Sequence, residues 1–226
     1  MRITSLLSPR FTHLLIRSFV LLVFSLIITG CRKGVQEQKI VYSNDFENST
    51  LSGISGGKIT SYNQSKVLGR YNKDGFELLL DDLPAHNIIE VSFDLNIHDT
   101  WDGNNAEPDG PDIWKLTMEG ATFINTTFSN KVCPYTCFPQ SYPFNYLNSN
   151  QQPKNGAYLS NLPGVCLQVG EAGGTSMYKI IKRMAHKSKT FSMKCIDQLS
   201  QPNTGDQLCD ESWSVDNLVI KTIKLD

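Results

Sequence analysis

Apolar and polar residues alternate with a period of two along much of the chain. The clearest run sets Ile89, Val91, Phe93, Leu95 and Ile97 against Glu90, Ser92, Asp94, Asn96 and His98. A strand with that spacing turns one face to the core and the other to water. Comparable short runs lie at 39–46, 66–71, 76–80, 112–118, 122–128, 165–169, 177–181, 191–195 and 215–225, separated by clusters of Gly, Asn, Asp and Pro. Only Ile180 to Ala185 offers a helical alternative, and it is short. Many short strands with turn signals between them predict an all-β antiparallel sandwich, for which a jelly roll is the natural form. The stretch from Asn130 to Pro163, rich in proline, amides and tyrosine, breaks the rhythm and predicts an ordered excursion near one sheet edge.

The first 30 residues follow a different pattern. Arg2, Arg10 and Arg17 precede an apolar stretch from Phe19 to Ile28, and the small residues Thr29 and Gly30 follow it, which is the layout of a cleaved export signal. Arg17 leaves about ten apolar residues, too few for the roughly twenty a spanning helix needs. Leu26-Ile27-Ile28-Thr29-Gly30-Cys31 resembles the lipobox of bacterial lipoproteins. The resemblance implies cleavage before Cys31 and acylation (palmitate among the acyl groups) of its thiol and freed amine, and more than one acyl chain anchors stably. The expected protein is lipid-anchored to the bacterial cell envelope, at the outer membrane. Residues 1–30 are then signal peptide, 31–39 a lipidated tether and 40–226 the sandwich domain.

Charge and cysteines narrow the picture. Residues 1–30 carry three arginines and no acid, so the remainder holds 18 basic and 22 acidic residues, a net charge of −4 with histidines neutral. No basic patch points to nucleic acid. Apart from Cys31 there are five cysteines, Cys133, Cys137, Cys166, Cys195 and Cys209, in a chain expected in a disulfide-permitting compartment. Five allows at most two bridges. Cys195 with Cys209, as the ends of one loop, is the first expectation, and Cys133 with Cys137 reads as a loop staple because no histidine accompanies it as a zinc ligand would.

Candidate chemistry gathers in two acidic segments. The loop from Asp99 to Asp112 directly after the best strand holds four aspartates and a glutamate without a lysine or arginine, and calcium takes such hard oxygen ligands. The spacing is not that of an EF-hand, and the same residues also make ordinary turns. Asp99, Asp102, Asp112 and Glu211 are the candidate calcium ligands. Asp216 and Asn217 interrupt the alternation of the last strand, which suggests a bulge or side chains aimed at an ion. First and last strands of a jelly roll often lie together, so Glu47 with Asp216 is a second candidate cation site. Trp101 and Trp213 stand beside acids and are candidate sugar-stacking residues, or else pack under the acidic loop, while Trp114 fits a core strand. Asp94, Asn96 and His98 share the polar face of their strand and complete the candidate ligand-binding set.

These segments carry a further resemblance. Phe93-Asp94-Leu95, Asp99-Thr100-Trp101-Asp102-Gly103-Asn104, Gly110-Pro111-Asp112-Ile113-Trp114, Thr127-Phe128-Ser129-Asn130, Gln140-Ser141-Tyr142-Pro143 and Glu211-Ser212-Trp213-Ser214-Val215-Asp216-Asn217 are similar to a group of exported bacterial and protist domains. The closing Trp213-to-Asn217 segment and the opening Phe46-Glu47 resemble, more weakly, the ends of MAM and laminin G-like domains. The resemblance implies a concanavalin A-like jelly roll and bound calcium, but no activity. No residue is assigned to catalysis: the paired carboxylates of laminarinase-like glucanases are missing, and no serine stands in a nucleophile elbow. The expectation is an envelope-anchored, calcium-binding carbohydrate-binding or adhesion module, with a glycan or another cell-surface protein as partner. The alternatives are a glycan-active hydrolase or lyase, recognisable by acids such as Asp94 and Glu211 facing one open cleft, and a structural lipoprotein without a small ligand.

Overall fold

The computed structural model describes residues 34–130, 138–200 and 204–226. The leader, Cys31, Cys133 and Cys137 lie outside the described residues. Those described form β1 (Val35–Asn44), β2 (Ile54–Ser55), β3 (Ile59–Tyr62), β4 (Ser65–Tyr71), β5 (Gly75–Leu80), β6 (Ile88–Asp99), β7 (Ile113–Met118), β8 (Ala121–Thr127), β9 (Leu159–Pro163), β10 (Ala172–Ala185), β11 (Phe191–Gln198), a one-turn helix α1 (Gln207–Asp210) and β12 (Glu211–Leu225). The larger sheet runs β3-β4-β12-β6-β10-β9 with β1 also on β12, and the smaller runs β2-β5-β11-β7-β8. From β4 to β7, and again from β10 to β12, the chain crosses from one sheet to the other at every step, which makes the antiparallel sandwich a jelly roll.

The alternation read from β6 is real: Ile89, Val91, Leu95 and Ile97 are wholly buried between the sheets and Phe93 nearly so. They meet Trp213 and Val215 of β12, Tyr178 of β10, and Phe76, Trp114, Leu116 and Met193 of the facing sheet. Trp114 and Trp213 meet edge to face at 5.7 Å in the centre. Burying side chains of this size contributes about 1.5–3 kcal/mol each.

Asp216 and Asn217 are where the last strand changes phase. Trp213 and Val215 point inward, yet so do Leu218 and Ile220, which strict alternation would turn outward. An extra residue resolves the conflict: Asp94 pairs with Asp216 and Ser92 with Val219, so the single residue Phe93 of β6 opposes two of β12, Asn217 and Leu218. Asn217 takes up the surplus with φ +52. The bulge lets both apolar halves of β12 face the core.

Several expectations need correction. Ile180 to Ala185 is not helical but the end of β10, where Ile180 is buried and Ile181 is 60% exposed, because its partner β6 imposes the period of a strand. Residues 165–169 form a turn rather than a strand. The first strand begins at Val35, so the last part of the expected tether is sheet. Among the described residues a disulfide joins Cys166 to Cys209, not Cys195 to Cys209, since Cys195 faces the core of β11 as a buried free thiol. In the long excursion, buried Gln140 accepts the Ser129 and Lys154 N–H groups at 3.1 and 2.9 Å and donates to the Asn155 carbonyl at 3.0 Å, so the described part is ordered.

Candidate functional site

The calcium candidates do come together, at the end of the sandwich where β6 leaves and β12 enters. Asp99 and Glu211 are a cross-strand pair, and Asp99, Asp112 and Glu211 are wholly buried while Asp102 is nearly so. Asp99 Oδ1 accepts the N–H groups of Val165, Cys166 and Gln168 at 3.2, 3.2 and 3.0 Å, pinning the turn that carries the disulfide. Its Oδ2 is buried without a hydrogen-bond partner among the described residues. Asp112 Oδ2 accepts from the N–H of Asp102 and from that of Gly103 at 3.1 Å. Gly103 sits at φ +65, and a Cβ there would fall 2.4 Å from the Pro139 carbonyl. Burial pushes the Asp112 carboxyl well above the usual range, and the Asp102 charge adds to this, against the pull of the backbone N–H groups and Glu211. Burial also raises Asp99, against its three N–H donors. Among the described residues, no three His, Cys, Asp or Glu side chains are arranged to hold a metal ion. What the Asp99 and Asp112 carboxylates visibly do is fix loops.

Trp101 and Trp213 offer no stacking face. Both are wholly buried; their indole N–H groups donate to the Ser212 carbonyl at 2.9 Å and to Asp197 at 2.6 Å. The core takes them because they flank the strand ends where the two sheets close, so of the two roles expected from sequence the packed one holds. His98 is buried too, between Thr175 Oγ1 at 3.0 Å and Ser214 Oγ at 2.8 Å, under the ring of Tyr62. Burial takes its pKa down to about 3, so it stays neutral. Asn96 is nearly buried beside it, its Nδ2 3.4 Å from Ser214 Oγ.

Asp94 and Asn96 lie elsewhere, on the floor of a groove along the outer face of the larger sheet. A hollow of about 140 Å³ has Asp94, Asn96 and Asp216 in its lining, with Val67 of β4, Leu159 and Leu162 of β9 and Met177 of β10 around them. A second hollow of about 300 Å³ shares Asp94 and continues over Ser92, Lys179, Ile181 and Asn217. Asp94 and Asp216 oppose each other directly across the two central strands. Asp94 has Lys179 Nζ at 3.4 Å and accepts from Asn217 Nδ2 at 2.9 Å. Half-burial first, and then the charges of Asp94, Glu47 and Asp45, raise Asp216 to about 6 against the pull of the Asn217 N–H. Glu47 approaches only through its field: its carboxylate accepts from Ser65 Oγ and the Lys66 N–H. Tyr158 stands 63% exposed, with Lys179 Nζ 4.7 Å from its ring centre.

The groove joins the expected Asp94, Asn96 and Asp216, and Asn217 of the interrupted last strand, with Tyr62, Leu159, Leu162, Met177 and Lys179, which sequence reasoning did not single out. Met177 and Lys179 follow from the period of β10, but nothing in the chain signals that β3 and β9 curl up as walls. Asp94 and Glu211 share no cleft. Glu211 stands opposite Asp99, five residues along β6 from Asp94 and about 16 Å away at strand spacing, and it is wholly buried.

No protein-family model matches the chain, and no curated protein matches it in sequence. Among solved structures it is similar to a family 35 carbohydrate-binding module from Clostridium thermocellum, with 9% identity and a TM-score of 0.34 over 81% of this chain and 97% of that one. It is similar also to the CBM22-2 xylan-binding domain from Paenibacillus barcinonensis, with 13% identity and a TM-score of 0.37 over 80% of this chain and 98% of that one. A third is a carbohydrate-binding module specific for non-crystalline cellulose, with 12% identity and a TM-score of 0.34 over 88% of this chain and 99% of that one. Likeness at this level transfers neither ligand nor residue roles.

Proposed function

We propose that this chain is a glycan-binding module, held to a bacterial envelope by lipid on Cys31, and that the outer-face groove is its binding site. One observation carries the reading: Asp94 and Asp216 are directly opposed on the groove floor. Like charges in that position destabilise a sheet. A perturbed carboxylate, here Asp216, in a concave, partly apolar hollow marks a binding site. Carboxylates and the amides of Asn96 and Asn217 are acceptors and donors for sugar hydroxyls, and Met177, Leu162 and Ile181 suit the apolar faces of a pyranose.

The test is calorimetric titration of the purified protein with neutral oligosaccharides, the wild type set beside Asp94→Ala and Asp216→Ala. Binding weakened at least tenfold by either substitution supports the reading; binding unchanged in both removes the groove from it. Metabolic labelling with an alkynyl palmitate, lost in Cys31→Ser, checks the anchor.

The hydrolase reading keeps one supporting feature, since a carboxyl raised to about 6 faces a second carboxyl across the strands, as in an acid and nucleophile pair. Release of reducing ends, abolished in Asp216→Asn, would favour it. Calcium at Asp99, Asp102, Asp112 and Glu211 remains part of the proposal, supported by the unpartnered Asp99 Oδ2, which a hard cation would satisfy.

A further inference from the structure

We infer that the groove takes the end of a neutral glycan chain and excludes the chain's interior; this rests on the glycan reading above. β3 and β9 are the opposite edges of the larger sheet, with β4, β12, β6 and β10 between them. In a flat sheet, five strand spacings would hold them about 24 Å apart. Yet the Tyr62 hydroxyl at the end of β3 donates to the Pro163 carbonyl of β9 at 2.9 Å. One tyrosine side chain closes that gap only if the sheet is rolled so that its edges meet above its outer face.

The roof lies at one end only. Tyr62 covers His98, with ring centres 4.6 Å apart, and His98 and Thr175 are wholly buried although they point to the outer face. Toward Asp94 the roof stops and the smaller hollow begins, with Tyr62 as its back wall. Beyond Asp94 the groove widens and opens over Ser92 and Ile181. A chain can therefore enter along β6 from the Ser92 side and must stop at Tyr62. Its last residue would sit over Asp94 and Asn96 between Val67 and Leu162. The preference for a neutral sugar follows from charge: Asp94 and Asp216 line the seat, Lys179 is paired with Asp94, and Lys66 Nζ is held by the Glu47 carbonyl at 2.9 Å. A uronate or sialate would meet Asp216, whose carboxylate no cation pairs among the described residues, with Asp94 already taken up by Lys179.

The experiment uses the full chain in detergent, titrated with linear gluco-, xylo-, manno- and galacto-oligosaccharides of two to six residues and with cyclic α-1,4- and β-1,2-glucans. The expected result is an affinity that changes less than threefold beyond the disaccharide, one protein bound per chain, and no binding of the cyclic glucans. Tyr62→Ala should remove the wall and let affinity climb with length, whereas Tyr62→Phe keeps the ring and the wild-type pattern. A tenfold rise from disaccharide to hexasaccharide in the wild type, or binding of a cyclic glucan, overturns end recognition and leaves the glycan reading standing. Failure of every probe to bind overturns both.

Discussion

Ionising Asp216 costs the folded chain free energy, because its carboxylate is half-buried and faces Asp94 across the sheet. Its pKa is raised to about 6 in the folded state from an ordinary value of 3.8. The folded state therefore binds more protons than the unfolded one between these values, and the contribution of this group falls as pH rises through that window. Below it the group is neutral in both states and costs nothing; above it the full penalty is present. With solvent screening of a half-exposed group, the penalty is about 1 kcal/mol. Asp216→Asn should accordingly be more stable than wild type at pH 7 by that amount and equal to it at pH 3.5, by urea unfolding at both pH values. Other groups titrate nearby, including His98, but they are common to both proteins and cancel in the difference. A variant less stable at pH 7 would mean that the carboxylate is favourably paired. Stability gained where binding is lost is the trade expected of a binding residue.

At the scale of elements, the bulge in β12 couples the core to the groove. Asn217 at φ +52 keeps Leu218 and Ile220 facing inward while leaving Asp216 on the outer face. Asn and Gly tolerate this conformation, whereas a β-branched residue does not. Asn217→Val should destabilise by about 1–2 kcal/mol more than Asn217→Gly, which for a domain of this size is roughly 2–8 °C in Tm. Equal melting temperatures would show that the strand can shed the bulge. The interruption at Asp216 and Asn217 was visible in the sequence because it broke a clear period. β6, β7 and β11 were legible for the same reason, each having one buried face. β3 and β9 were not: they are edge strands whose pattern Ile59-Thr60-Ser61-Tyr62 and Leu159-Ser160-Asn161-Leu162 is too short to show a period, and only the roll of the sheet brings them over the groove. Trp101 and Trp213 misled in the opposite way. Aromatics next to acids in sequence resemble a sugar site, but here the acids tie down loops and the rings fill the core below them.

For the whole molecule, the acid cluster and the groove occupy different places and have different tests. Asp99, Asp112 and Glu211 are buried, and their residual charge must be balanced by protons, by hydrogen bonds or by a cation. A cation would have to draw the side chains closer, since no three of the described residues are arranged around one point. If calcium binds only the folded state, it stabilises by mass action, about 2.7 kcal/mol at one hundred times its Kd, or roughly 5–11 °C in Tm for a chain of this length. Thermal unfolding in chelator, followed by calcium titrated back, should show a saturating rise that magnesium does not reproduce, because magnesium demands tighter octahedral geometry. The rise should be absent in Asp99→Asn, which keeps an oxygen for the N–H groups of Val165, Cys166 and Gln168 while removing the charge. A flat titration removes calcium from the proposal and leaves these carboxyls as loop anchors. Glycan binding would then be expected to proceed unchanged in chelator, since the groove floor at Asp94 and Asp216 lies about five residues along the strands from Asp99 and Glu211.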